Sequence, residues 1–219
     1  MIKIEVQHYT KVIKKRKILD DVSLTLEGGY IYGFRGINGS GKTMLMRAVS
    51  GMIMPTKGSV RVDGMTVRAT KTYPTSLGVL IENPMFLPGC TGFDNLRLLA
   101  GLSGQADDME IKRVMSELDL NPDDKRLYRE YSLGMRQKLG IVAAIMGGPR
   151  LIILDEPINA LDEKSVKKVK ELLVNLKNEN RVIIIACHDR EEMDYLADRI
   201  FLIEDGRLKS ETALRTTPN

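Results

Sequence analysis

The eight residues GINGSGKT, Gly36 to Thr43, constrain this chain more than any other stretch. They match G-x-x-x-x-G-K-[ST], a loop whose glycines let the backbone curl until successive N–H groups point inward at an anion. The context that the pattern demands is present on both sides. The apolar YIYGF reads as a strand before the loop, and TMLMRAVSGM places Leu45, Ala48, Val49 and Met52 at helical spacing after it. A helix N-terminus adds the positive end of its dipole to such a loop. Lys42 would then reach the β- and γ-phosphates of a nucleotide, and the Thr43 hydroxyl would hold Mg2+.

A second apolar run, LIILDEP, reads as a buried strand that presents Asp155 and Glu156 at its end, the edge at which ligands bind in open α/β sheets. One carboxylate can hold the magnesium while its neighbour orients and deprotonates an attacking water. A third run, VIIIAC at 182–187, follows the helical pattern EKSVKKVKELLVNLK. Continuous apolar strands alternating with helices are the pattern of a parallel sheet covered on both faces.

The rest of the chain is organised differently. IKIEV, VSLTLEGG and SVRVDGMTV, the last with an Asp63-Gly64 hairpin signal, read as antiparallel sheet, and the basic run KVIKKRK at 11–17 as a solvated hairpin loop, with a phosphate- or lipid-binding patch as the alternative. From about 85 to 147 the patterns FDNLRLLAGL, MEIKRVMSELDL and RQKLGIVAAIMG are helical. No internal repeat or long linker divides the chain, so one domain is expected.

Composition removes several classes. With 219 residues, 43% hydrophobic and 28% charged, the chain can bury a substantial core and is neither disordered nor fibrous. A net charge of +4 is too small to argue for a nucleic-acid partner. No apolar run approaches the roughly 20 residues of a membrane span, which predicts a soluble, cytoplasmic chain able to dock on a membrane protein. The two cysteines, Cys90 and Cys187, lie far apart without partners at metal-binding spacing and suggest neither disulfide nor zinc.

On these residues the chain resembles the ATP-binding domain of ABC transporters, from about residue 2 to residue 208. Beyond the two nucleotide motifs, YSLGMRQ at Tyr131–Gln137 is similar to the family signature LSGGQ-x-Q, and NALD at 159–162 to the D-loop. His188 in IIIACHD stands where the switch histidine belongs, and MPTKGSVRVDG at 54–64 is similar to the family's stretch after the first helix. The resemblance implies an α/β fold of the P-loop NTPase type, with a RecA-like parallel sheet core, an antiparallel β subdomain and a helical subdomain. It implies a single domain over 1–219, with the core at about 1–84 and 148–219 and the helical subdomain, carrying the signature, at about 85–147.

Roles follow from the same resemblance. Gly36, Ile37, Asn38, Gly39, Ser40, Gly41, Lys42 and Thr43 would wrap the phosphates of ATP, with Thr43 and Asp155 serving Mg2+. Glu156 would be the general base, and Lys42 and His188 would stabilise the reacting γ-phosphate. Ser132 and Gly134, at a helix start, would touch the γ-phosphate of an opposite subunit, and Asp162 would sit at that interface, so two domains would meet head to tail. Glu82, in GVLIENPMF, stands where glutamine is common and is a candidate metal contact. At the family's adenine-stacking position stands Ile13, with Tyr9 as the alternative.

The implied partners are a separate transmembrane permease, met through Pro84–Thr91, and a second ATP-binding subunit, with no nucleic acid; the chain would lie on the inner face of the cell membrane. Tyr131, Leu133 and Met135 replace the signature's Leu, Gly and Gln, and with Glu82 they resemble the branch tied to bacitracin and lantibiotic resistance, which implies export. The competing reading is a non-transport ABC ATPase, but translation factors of that kind carry two such domains and repair proteins insert long coiled coils, and the chain shows neither. A phosphoryl transferase is disfavoured by the signature and by the lack of an acceptor-substrate lobe, and a non-hydrolysing regulator stays open but is poorly motivated beside Glu156 and His188.

Overall fold

The computed structural model describes residues 1–68, 72–104 and 106–215. Two sheets are built. β1 (Lys3–Ile13) pairs antiparallel with β2 (Arg16–Glu27) and with β4 (Lys57–Val62), and β5 (Met65–Thr66) closes that sheet in the order β2-β1-β4-β5. The β1–β2 turn falls inside the basic run, whose ends belong to the two strands: Lys14 and Lys15 adopt φ of 46° and 66°, the left-handed pair that a two-residue hairpin needs. Asp63-Gly64, with φ of 48° and 80°, makes the same turn between β4 and β5.

The larger sheet runs β10-β9-β3-β8-β7-β6. β3 (Ile31–Arg35), β6 (Leu77–Leu80), β7 (Leu151–Asp155), β8 (Val182–Ala186) and β9 (Arg199–Glu204) are parallel, and β10 (Arg207–Ala213) returns antiparallel along β9. Alternate residues of the central strands feed two cores. Leu151, Ile153, Val182, Ile184, Tyr32 and Phe34 join α1 (Lys42–Val49) and the antiparallel sheet, while Ile152, Leu154, Ile183 and Ile185 join the helices of the other face. Each such side chain is sealed from water and contributes about 1.5–3 kcal/mol, which explains why these strands read as unbroken apolar runs.

The second face is covered by α4 (Leu133–Ile145), α5 (Glu163–Asn175) and α6 (Arg190–Leu196), and α2 (Gly92–Ser103) and α3 (Asp108–Glu117) pack on α4 through Leu96, Ile111, Val114 and Met115. Two expectations shift. Strand β6 is absent from the sequence reading because four residues carry too little pattern. It is held by close packing: a Cβ on Gly78 would stand 1.7 Å from the Ala144 carbonyl oxygen of α4. Met52, expected at helical spacing in the first helix, lies beyond it and is 58% exposed, because α1 ends at Val49 and Gly51, at φ 75°, turns the chain away.

Candidate active site

The carboxyl ends of β3, β7 and β8 converge on one cleft of 610 Å3, lined among others by Asn38, Gly39, Gly41, Lys42, Thr43, Asp155, Glu156 and His188. Its opposite wall is Arg16, Lys17 and Ile18 of the hairpin with Asp205 and Gly206 of the β9–β10 turn. The basic run is therefore a hairpin whose far end also walls the cleft.

The loop after β3 is locked from behind. The Gly206 N–H donates to the Ser40 carbonyl at 2.8 Å, and Asp20 N–H donates in turn to Gly206 O at 2.9 Å. Only glycine fits at Gly36, where a Cβ would lie 2.2 Å from Ile203 O and 2.5 Å from Ser40 Oγ. Lys42, 6% exposed, folds back so that its Nζ donates to Gly36 O at 2.7 Å and Ile37 O at 3.1 Å. Helix α1 begins without a side-chain cap and without an acid in its first turn, so its leading N–H groups remain available to an anion. Ile37, by contrast, is 78% exposed and outside the lining.

Thr43 Oγ1 donates to Asp155 Oδ2 at 2.6 Å, joining the first turn of α1 to the end of β7. Next in the chain, Glu156 takes φ 51° and donates its N–H to Ala186 O at 2.9 Å, which extends the β7–β8 ladder by one bond. That bond sets Glu156 beside the residues following β8. His188 Nε2 lies 3.1 Å from Glu156 Oε1, within ion-pair reach but out of line for a hydrogen bond, and the His188 N–H donates to Oε2 at 3.3 Å. Burial pushes the Glu156 carboxyl above its ordinary value, against the opposing pull of His188. Cys187, before the histidine, is buried and its thiol is pushed up to about 11 by that burial, a packing residue rather than a nucleophile.

Other sequence candidates lie elsewhere. Glu82 does not line the cleft; at φ 62° its carboxylate accepts from Arg47 Nη2 at 2.5 Å, one helical turn beyond Thr43. Ser132 and Gly134 are also outside the cleft: Ser132 caps α4, accepting from Met135 N–H at 3.2 Å, and Leu133 beside it is 64% exposed. Tyr131 is buried with Tyr128 and Phe86, which anchors the start of α4. Tyr9 is fully buried, its hydroxyl donating to Ile53 O at 2.8 Å, so it does not face a base in the cleft, whereas Ile13 is 40% exposed. Sequence reasoning assigned no role to Gln137, whose amide reaches the main chain of Glu156; the only signal was its place at the end of YSLGMRQ.

A family model described as ABC transporter matches residues 19–159. The chain belongs to the ABC transporter family. It is an ATP-binding subunit of that family and an ATPase, whose ligands are ATP and Mg2+. The cassette is 42% identical over 207 residues, 94% of this chain and 95% of the relative, to an uncharacterised ABC transporter ATP-binding protein, YybJ, of Bacillus subtilis (strain 168). It is 36% identical to the bacitracin transport ATP-binding protein BcrA of Enterococcus faecalis, covering 95% of this chain and 68% of that one. To the lantibiotic transport ATP-binding protein SrtF of Streptococcus pyogenes it is 31% identical, covering 94% and 88%. In fold it superposes on the dimeric structure of an ATP-binding cassette in a post-hydrolysis state bound to ADP and Pi, with a TM-score of 0.87, 22% identity and coverage of 98% and 100%.

The cassette's residues fit both ligands. Glu156, which lines the cleft, has an Oε1 that accepts no hydrogen bond, which leaves an acceptor for water. Thr43 and Asp155 supply oxygen donors alone, as Mg2+ prefers.

Proposed function

We propose that the chain hydrolyses ATP as one half of a head-to-tail dimer with a second ATP-binding subunit, at the cytoplasmic face of the membrane, and thereby drives export by a separate permease. The observation that carries the reading is the contact of Thr43 with Asp155 inside a cleft that also holds Lys42, Glu156 and His188. The loop from Gly36 to Thr43 binds the β- and γ-phosphates through main-chain N–H groups, and Lys42 exchanges its two carbonyl partners for phosphate oxygens. Thr43 Oγ1 and the Asp155 carboxylate would hold Mg2+, which when bound neutralises charge on the phosphates. Glu156 accepts a proton from water as its oxygen bonds to the γ-phosphorus and the bond to the β,γ-bridging oxygen breaks. His188, at ion-pair distance from Glu156, steadies that carboxylate and faces the γ-phosphate. Glu82, paired with Arg47, is given no metal role.

Several features support the assembly. Ser132 and Gly134 open α4, whose first turn holds no acid, away from the chain's own cleft, as an anion site serving another subunit requires. No described helix is long and apolar enough to cross a membrane, and we assign the crossing to the permease. The helical subdomain, about residues 85–147, leaves Met85 92% and Leu102 87% exposed, apolar surface suited to a membrane partner. The names of the relatives that transport bacitracin and lantibiotics point to an amphiphilic peptide as cargo.

The deciding experiment replaces Glu156 by Gln. Hydrolysis is expected to fall by roughly 10^2–10^4-fold while ATP still raises the melting temperature; undiminished turnover would overturn the mechanism. Copurification with the permease, and stimulation of hydrolysis on reconstitution with it, tests the transport assignment.

A further inference from the structure

Gln137 lies on α4, five positions after the Ser132 that caps the helix. Its Nε2 donates to two consecutive main-chain oxygens, Glu156 O at 2.9 Å and Pro157 O at 3.2 Å. Both amide hydrogens are thus spent on the backbone of Glu156–Pro157, and Gln137 does not line the cleft. The peptide it grips needs holding. Glu156 is a non-glycine residue in the left-handed region, at φ 51°, a conformation that persists only where its surroundings impose it.

On its N-terminal side that residue is fixed by the bond from its N–H to Ala186 O of β8. On its carbonyl side the strongest partner is Gln137, beside a longer bond from Asn159 N–H at 3.3 Å. The same helix meets the next part of the segment, since a Cβ on Gly134 would lie 3.0 Å from Ala160 O, another left-handed position at φ 63°. Helix α4 therefore touches the run from Glu156 to Ala160 at two points one turn apart. Neither contact involves the nucleotide.

We propose that Gln137 is a positioning residue for hydrolysis, holding the Glu156 main chain so that its carboxylate faces the cleft. The inference rests on the reading of Glu156 as the base.

The test uses the full chain with Gln137→Met, which keeps length and bulk but donates nothing, and Gln137→Lys, which restores a donor. ATP turnover is measured beside the affinity for a non-hydrolysable ATP analogue with Mg2+. Gln137→Met is expected to lower kcat on the order of 10- to 100-fold, as small misplacements of reacting groups do. Analogue affinity should stay within about twofold of the parent, since the amide touches no ligand, and Gln137→Lys should recover part of the rate. Loss of kcat and affinity together, in step with a lower melting temperature, would show a structural role only and overturn the proposal. Parent-like turnover of Gln137→Met beside an inactive Glu156→Gln overturns this inference alone. Full turnover of Glu156→Gln instead overturns the reading beneath it.

Discussion

Thr43 Oγ1 and Asp155 Oδ2 stand 2.6 Å apart although 112 positions separate them in the chain. The contact closes the helix after the phosphate loop onto the end of β7, two strands from β3 in the sheet, and under the proposed function it marks where a hard cation would be shared between the protein and a triphosphate. Thr43→Ala should weaken Mg2+ engagement by roughly 10- to 100-fold, the scale for losing a supporting group at a metal site. Titrating hydrolysis with Mg2+ at saturating ATP checks this, and an unchanged half-saturating concentration would contradict it.

Gly36→Ala places a methyl group against Ile203 O and Ser40 Oγ at distances that no relaxed Cβ adopts. Either the loop or β9 must move, at about 1–3 kcal/mol. The apo melting temperature should fall, and, where the loop rather than β9 yields, the rise produced by ATP should shrink as well, because under the proposed function that loop holds the phosphates.

Lys177 and Asp198 form an ion pair 3.1 Å apart with side chains only 3% and 0% exposed, and Asp198 Oδ2 also accepts from the Ile31 N–H at 2.8 Å. Removing Lys177 leaves the buried Asp198 with only the more exposed Arg215, whose Nη1 lies 3.6 Å from Oδ1, as a countercharge. Lys177→Met is expected to cost about 3 kcal/mol, the lower end for breaking a buried pair, read by denaturant unfolding, and Lys177→Met with Asp198→Asn should cost less than the sum of the single changes.

Tyr9→Phe removes only the hydroxyl that donates to Ile53 O inside the core. Stability should drop by about 1 kcal/mol and ATP affinity should not change. A clear loss of affinity would mean that the Tyr9 ring reaches the base, against its complete burial.

What could be read before folding was whatever is local. The phosphate loop, the strand ending in Asp155-Glu156, both hairpin turns and the helices of the middle region each announce themselves within a dozen or so residues, because backbone curl, turn conformation and helical periodicity depend on near neighbours. The two-faced parallel sheet followed from apolar runs at 151–154 and 182–187 for the same reason. Met52 and β6 escaped because one depended on where a helix stops and the other on Gly78 admitting α4 at close range.

The amino-acid sequence by itself determined the chemistry on offer: a loop that binds anions, paired carboxylates at a strand end, a histidine after another strand, and a serine-glycine helix start. The tertiary structure decided which of these meet. It put Asp155 on Thr43 and His188 on Glu156, turned Glu82 to Arg47, buried Tyr9, and sent the Gln137 amide to the Glu156 backbone. Those choices depend on strand order and on helix approach distances, which are set by packing across the whole core, and no short stretch of chain encodes them.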